Sequence, residues 1–312
     1  MSTTFLNLPV ELRRMIKDWV DPSDLRTHVW LYLTHSSCSA LYDDRTDPEG
    51  FWRRLCWNCG LGRLPDEEAE LSDDEFEWRS IAIECVRRDG FCTLPHCGES
   101  LLEYNRARMR ENAAYVEVCT PLRVREDYRE DGGKATFDVH PALCHVDFRA
   151  SSENHHYEPH PVENDAHFRW HCNAATKNET PVDVKKRAYV GDHPLAARSF
   201  ATATPVSNMM LFSFVQMGST KDLDFDRPVT VFDVLSAIHQ DLDGELSVHD
   251  VHSYLAHGST PHAKCVAQAK WGVEEAFANL QNGREVLTLC PIKGMKVDEL
   301  TDYGAAVFID LY

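Results

Sequence analysis

Apolar positions recur at helical spacing through the first 120 residues, and short continuous apolar runs replace them later. After Asn7-Leu8-Pro9, the residues Leu12, Met15, Ile16, Trp19 and Val20 step by threes and fours. That spacing predicts an amphipathic helix with Pro9 in its first turn, where no amide donor is missed. Asp21-Pro22-Ser23-Asp24 ends this helix and opens another. Asp21 is the expected cap, Pro22 the first helical residue and Asp24 a favourable charge near the start. Leu25, Val29 and Leu33 continue at helical spacing, and a further helix begins at Phe51, Trp52 and Leu55.

Residues 66–77 hold eight acids in twelve positions without a base, which predicts a self-repelling solvated loop. Residues 78–89 return to helical period with Trp78, Ile81, Ala82, Cys85 and Val86 on one side, and Leu101–Ala114 reads as a charged amphipathic helix. Charge and Gly132-Gly133 place a linker at 120–135. Residues 140–205, rich in His, Pro, Asn and Thr, have little period and predict long loops. Met209–Val215 reads as a buried strand, and Val286–Leu289 and Val307–Leu311 as further strands. Thr230-Val231-Phe232-Asp233 has the form of a capping sequence before Val234, Leu235 and Ile238, and further helices are predicted near 248–256 and 262–281. The fold class expected is multidomain: an all-α N-terminal part of short helices with a helical extension, then an α+β C-terminal domain. The boundaries expected are 1–60, the extension 61–119, the linker 120–135, and 136–312.

Charge narrows the function. The 312 residues carry 32 Lys and Arg against 50 Asp and Glu, a net charge of −18. A chain so acidic lacks the basic footprint needed on nucleic acid or on an anionic membrane. No apolar run approaches the roughly 20 residues of a membrane span, and none near the N-terminus has signal-peptide form. Eleven scattered cysteines do not make a disulfide framework, so a cytoplasmic or nuclear protein with reduced thiols is expected.

The string Leu8-Pro9-x-Glu11-Leu12, Ile16, Trp19-Val20-Asp21-Pro22-x-Asp24-Leu25 resembles the F-box motif. Phe51-Trp52-Arg53-Arg54-Leu55-Cys56 resembles its closing tryptophan segment, while Thr27–Asp47 departs from the pattern with extra residues. Trp57-Asn58-Cys59-Gly60-Leu61-Gly62 and Asp89-Gly90-Phe91-Cys92 look like the following region of fungal F-box-like proteins. His140-Pro141-x-Leu143, Ala203-Thr204-Pro205, Val229-Thr230-Val231-x-Asp233-Val234-Leu235 and Met295–Leu300 look like an uncharacterised fungal domain with no assigned activity. The resemblance implies a substrate-receptor subunit of an SCF-type cullin–RING ubiquitin ligase. Leu8, Pro9, Leu12, Ile16 and Leu25 would then contact a Skp-type adaptor, and the C-terminal domain would hold a protein substrate. Part of that set must build the motif's own core, and the sequence does not separate the two roles. Two rival classes remain: an interaction scaffold whose F-box no longer joins a ligase, and an enzyme of unknown type in the C-terminal domain.

Metal chemistry has three candidates. Cys56-x₂-Cys59 and Cys92-x₄-Cys97 are two close pairs of the kind that tetrahedral zinc uses, with His96 beside them. Thirty-two residues separate the pairs, against a usual ~15–20. The first pair also follows Trp52 on a predicted helix, where thiols behave as small apolar residues, so no cofactor is expected. His239–Asp250 partly fits a calcium-binding loop, but His239 stands where an oxygen ligand is needed and Asp250 is too short for the closing Glu. An Asp243-Gly244 turn is the simpler expectation. His140, His145, His155, His156, His160, His167 and His171 cluster with Cys144 and Cys172, yet no third ligand has motif spacing, so a solvated surface is expected. The serine-hydrolase elbow, the phosphate loop, the dinucleotide fingerprint and the His-Glu-x-x-His motif are all absent from the sequence, and no catalysis is expected of this chain itself.

Overall fold

The computed structural model describes residues 5–43, 47, 49–68, 76–87, 97–114, 117–123, 138–144, 146–149, 160–161, 168–173, 193–212, 220–247, 292–301 and 304–311. Among the described residues seven α-helices precede residue 112: α1 (Val10–Trp19), α2 (Leu25–Thr34), α3 (Ser36–Ser39), α4 (Gly50–Asn58), α5 (Pro65–Glu68), α6 (Trp78–Arg87) and α7 (Cys97–Glu111). The strands follow in the C-terminal half: β1 (Val146–Arg149), β2 (His160–Pro161), β3 (Phe168–Asn173), β4 (Asn208–Phe212), β5 (Thr220–Asp224), β6 (Ile292–Thr301) and β7 (Gly304–Leu311). They are hydrogen-bonded in the order β2-β3-β1-β6-β7-β4-β5. β4 runs antiparallel to β5, with Asn208 opposite Asp224 and Phe212 opposite Thr220. The described chain is thus helix-rich, with its strands gathered late.

Local sequence explains the helix ends. Asp24, not Asp21, caps α2, its carboxylate accepting from Thr27 N at 3.1 Å. Asp21 instead closes a turn on Ser23, accepting from its amide at 2.9 Å and its hydroxyl at 2.6 Å. α4 ends in a Schellman motif at Gly60, whose φ of +64° is the left-handed conformation glycine tolerates. Gly60 N donates to Trp57 O at 2.8 Å, and Leu61 N to Cys56 O at 3.0 Å. The helix Val231–Asp243 starts with the expected capping box, Thr230 and Asp233 each accepting from the other's backbone.

The helical core is aromatic on one side. Tyr32, Tyr42, Phe51 and Trp52 meet at ring separations of 5.1–5.8 Å, mostly edge to face. His28 sits among them, buried, its ring edge-on to Phe51 and Tyr42. On the other side α6 buries Trp78, Ile81, Ala82, Cys85 and Val86, the five residues its sequence period marks.

Residues 199–207 form a buried extended segment that stitches the two halves of the chain together. Phe200 N donates to Gly60 O, Ala201 N to Val229 O and Ala203 N to Asp138 O, each at 2.8 Å. Leu122 N donates to Pro205 O at 2.9 Å, and Ser207 N to Leu122 O at 3.0 Å. Leu122 is therefore packed, although it falls in the expected linker, whose residues 124–135 lie outside the described ones. Ahead of this segment, Pro194–Arg198 is a buried helical turn capped by His193, whose Nδ1 accepts from Leu195 N and Ala196 N. A closed network crosses the halves as well. His140 Nε2 donates to Asn105 Oδ1 at 2.9 Å, Asn105 Nδ2 to Ser199 Oγ at 2.9 Å, and Ser199 Oγ to Leu195 O at 2.8 Å. A buried polar chain of this kind holds its place because each member is satisfied.

Several expectations change. Strands β1–β3 and the turn Pro141–Cys144 occupy part of the stretch expected to be loop. α7 begins at Cys97, before the predicted start, and ends at Glu111. β6 spans residues whose period did not announce a strand. The expected helices near 248–256 and 262–281 and the strand Val286–Leu289 lie outside the described residues. The acidic block is not wholly solvated. Glu67 lies in α5 and makes a bidentate pair with buried Arg198, at 2.5 and 2.7 Å. Burial pushes the Glu67 carboxyl up, but the Arg198 hydrogen bond and charge outweigh it and hold it below its usual value. Among the described residues no helix is long and apolar enough to cross a membrane.

Candidate docking surface

α1 has an ordinary amphipathic sequence and an inverted placement. None of its ten residues is buried. Leu12, Met15, Ile16 and Trp19 lie on one face at steps of three, four and seven, and are 43%, 51%, 38% and 81% exposed. Arg13 and Lys17 face the protein instead. The Lys17 ammonium lies 4.8 Å from the Phe51 ring centre and 4.9 Å from that of Tyr42. Arg13 Nη1 donates to Ser37 O at 3.2 Å. The Lys17 cation over these rings contributes about 0.5–2 kcal/mol, and the Arg13 hydrogen bond adds a second tie to a helix that buries no apolar side chain.

The turn after α1 is fixed from three sides. The Ser23 hydrogen bonds, chiefly that of its hydroxyl, hold the Asp21 carboxyl down at about 2, against partial burial. Arg106 and Arg110 of α7 reach the same carboxylate. His28 Nε2 donates to the Asp21 carbonyl at 3.2 Å, which leaves Nδ1 to accept from the Tyr42 hydroxyl at 3.0 Å. Burial lowers the His28 pKa, since a charged imidazole would lose its hydration there. A neutral His28 thus links α2, the turn and the aromatic cluster that supports Lys17.

The structure divides the five residues expected at an adaptor. Leu12 and Ile16 are exposed on α1, Pro9 is exposed at its start and Leu8 is half-exposed beside it. Leu25 is 1% exposed and belongs to the chain's own core, behind the turn. Met15 and Trp19 join the exposed stripe, and Trp30 on α2 is 53% exposed. The helical period showed Met15 and Trp19 to share a face with Leu12. It gave no sign of which way that face points.

Cys56 Sγ donates to Trp78 O at 3.8 Å, and Cys59 Sγ to Ser23 O at 3.1 Å, so both are buried thiols in neutral hydrogen bonds. Burial drives the Cys56 pKa well up and that of Cys59 to about 12. Cys92 and the Cys97 side chain lie outside the described residues. The calcium-loop candidate is overtaken by helix, which runs through Asp243, with Gly244 as its C-cap at φ −63°. His140 is committed to Asn105 and to the Ala142 amide, and the side chains of His145, His155, His156, His160, His167 and His171 lie outside the described residues. Among the described residues no group of three His, Cys, Asp or Glu side chains is placed to hold a metal.

Comparison with protein-family models, with curated proteins and with solved structures finds no match.

Proposed function

We propose that the chain is an F-box-type substrate receptor. Residues 1–60 dock on a Skp-type adaptor, and residues 136–312 hold a protein substrate for a cullin–RING ubiquitin ligase. The observation that carries this reading is the outward apolar stripe of α1, Leu12, Met15, Ile16 and Trp19, on a helix that turns Arg13 and Lys17 inward. An amphipathic helix with an uncovered apolar face is a surface shaped for a partner's hydrophobic groove. The F-box resemblance of Leu8–Leu25 names the partner class. In this role the chain performs no chemistry. It acts by proximity, bringing a target lysine to the thioester carried by partner subunits. Such a receptor works in the cytoplasm or nucleus, in keeping with free thiols at Cys38, Cys56, Cys59, Cys85 and Cys119.

The test is co-purification of the full chain with a Skp-type adaptor and cullin, beside a Met15→Asp, Ile16→Asp variant and a Leu8→Ala, Pro9→Ala variant. The expected result is capture by the native chain and at least a tenfold loss in each variant, with unchanged unfolding midpoints. A native chain that is folded and captures neither protein would sink the proposal.

A further inference from the structure

His28 stands beneath both fastenings of α1. Its Nε2 donates to the carbonyl of Asp21, in the turn on which α1 is hinged. Its Nδ1 accepts from the hydroxyl of Tyr42, one of the two rings under the Lys17 ammonium. Phe51, the other, meets the imidazole at 5.1 Å and 74°. One buried ring therefore bears on the hinge of α1 and on its latch. α1 has little else to keep it in place, since it buries no residue and Arg13 adds one hydrogen bond to Ser37 O. α6 is held by its own apolar burial and does not share that latch.

Both contacts of His28 suit a neutral ring. A protonated ring donates from both nitrogens, so Nδ1 turns from acceptor to donor and the buried Tyr42 hydroxyl loses the acceptor for its proton. The charge also arrives beside the Lys17 ammonium, at the same pair of rings. Burial is the strongest influence against that charge, and Lys17 of α1 acts in the same direction. The Asp21 carbonyl and the carboxylates of Asp24 and Asp21 favour the charge but do not prevail. Both carboxylates are already engaged: Asp24 caps α2, and Asp21 accepts from Ser23, Arg106 and Arg110. On the Tyr42 side, burial keeps the hydroxyl protonated, Asp18 of α1 and Cys38 of α3 act in the same direction, and α4 presents the uncharged Phe51.

We infer that protonation of His28 releases α1 from the body while α6 and the core around it stay folded, so that α1 is an acid-sensitive arm. Release then weakens capture by an adaptor, a consequence that rests on the function proposed above. The free chain reports the release whether or not it captures an adaptor, so the two readings can fail separately.

Hydrogen–deuterium exchange of the free full chain is measured by mass spectrometry from pH 7.5 to 5.5 and corrected for intrinsic exchange. His28 titrates near 6.5 once α1 is released and lower while it is seated. Protection across residues 10–19 should therefore fall about five- to tenfold over that interval and stay well below that of residues 78–87 throughout. His28→Gln, which keeps a donor and an acceptor without a titrating proton, should remove the fall. A flat profile in the native chain, equal protection in the two helices, or an unchanged fall in folded His28→Gln overturns the inference. Should His28→Gln not fold, His28→Asn gives the same comparison.

Discussion

α1 and α6 are both ten residues long, both amphipathic, and opposite in what they do with their apolar face. α6 buries Trp78, Ile81, Ala82, Cys85 and Val86. α1 leaves Leu12, Met15, Ile16 and Trp19 outside and turns Lys17 and Arg13 inward. The rule that an apolar stripe marks the inside of a protein holds for α6 and fails for α1. What decides is the surface each helix meets. α6 meets an apolar wall, whereas α1 meets the faces of Tyr42 and Phe51, which suit a cation.

The largest effect expected falls on α6. Ile81→Ala should cost about 2–5 kcal/mol in denaturant unfolding, through lost burial and the cavity left behind. A cost below ~1 kcal/mol would place α6 outside the core and erase the contrast. Next comes the attachment of α1. Lys17→Met keeps much of the apolar stem and removes the charge from over the two rings, so a loss of ~1–2 kcal/mol is expected. Its sharper sign is faster amide exchange across residues 10–19 with exchange in α6 unchanged. Uniform exchange in both helices would show that α1 is held by something else.

A pH titration tests the support beneath Lys17. His28 titrates lower in the folded chain than the 6.5 of the unfolded one, so the unfolded state takes up protons first. Stability is therefore whole above about pH 6.5 and falls as the pH drops below it. Thermal unfolding between pH 8 and 5.5 should show that fall, and His28→Gln should flatten it. Asp21, held near 2, contributes in a separate window below about pH 4. The smallest effect closes the comparison. Met15→Ala, on the outward face, should change stability by less than ~0.5 kcal/mol. A cost comparable to that of Ile81→Ala would mean that the stripe is covered within the chain.

How legible these features were in the sequence follows the range of the forces involved. α6 was readable residue by residue, because its period and its burial agree. The Thr230–Asp233 box was readable because it closes within four residues. The choice of Asp24 over Asp21 as cap was not, since Ser23 two positions on, and Arg106 and Arg110 more than 80 positions away, compete for Asp21. The membership of the α1 stripe was visible, but its direction was not, because that depends on Tyr42 and Phe51. Leu25 fits the motif as well as Leu12 does, and only packing sorts the two. The spacing of Cys56 and Cys59 allowed metal ligands, their place behind Trp52 favoured buried thiols, and both are buried, Cys56 in α4 and Cys59 at its C-cap. Residues 199–207 carry no period at all. The segment is buried throughout, apart from Phe200 its side chains are small, and most of its backbone partners are distant in sequence.

That stitched segment has a consequence for how the protein is made. A chain leaves the ribosome from its N-terminus, and Gly60, Leu122 and Asn105 emerge long before the residues that complete them. The helical part must wait for Arg198 and Phe200 before Gly62 N and Gly60 O find their partners. Until then Trp57 and Cys85 lack the cover that Phe200 and Pro194 provide. Nascent chains halted at residue 150 should be cut by protease between residues 50 and 111, where finished chains resist. α1 has no such delay, since it buries nothing and waits for no distant strand. The outward stripe of α1 is therefore complete before the body that carries it.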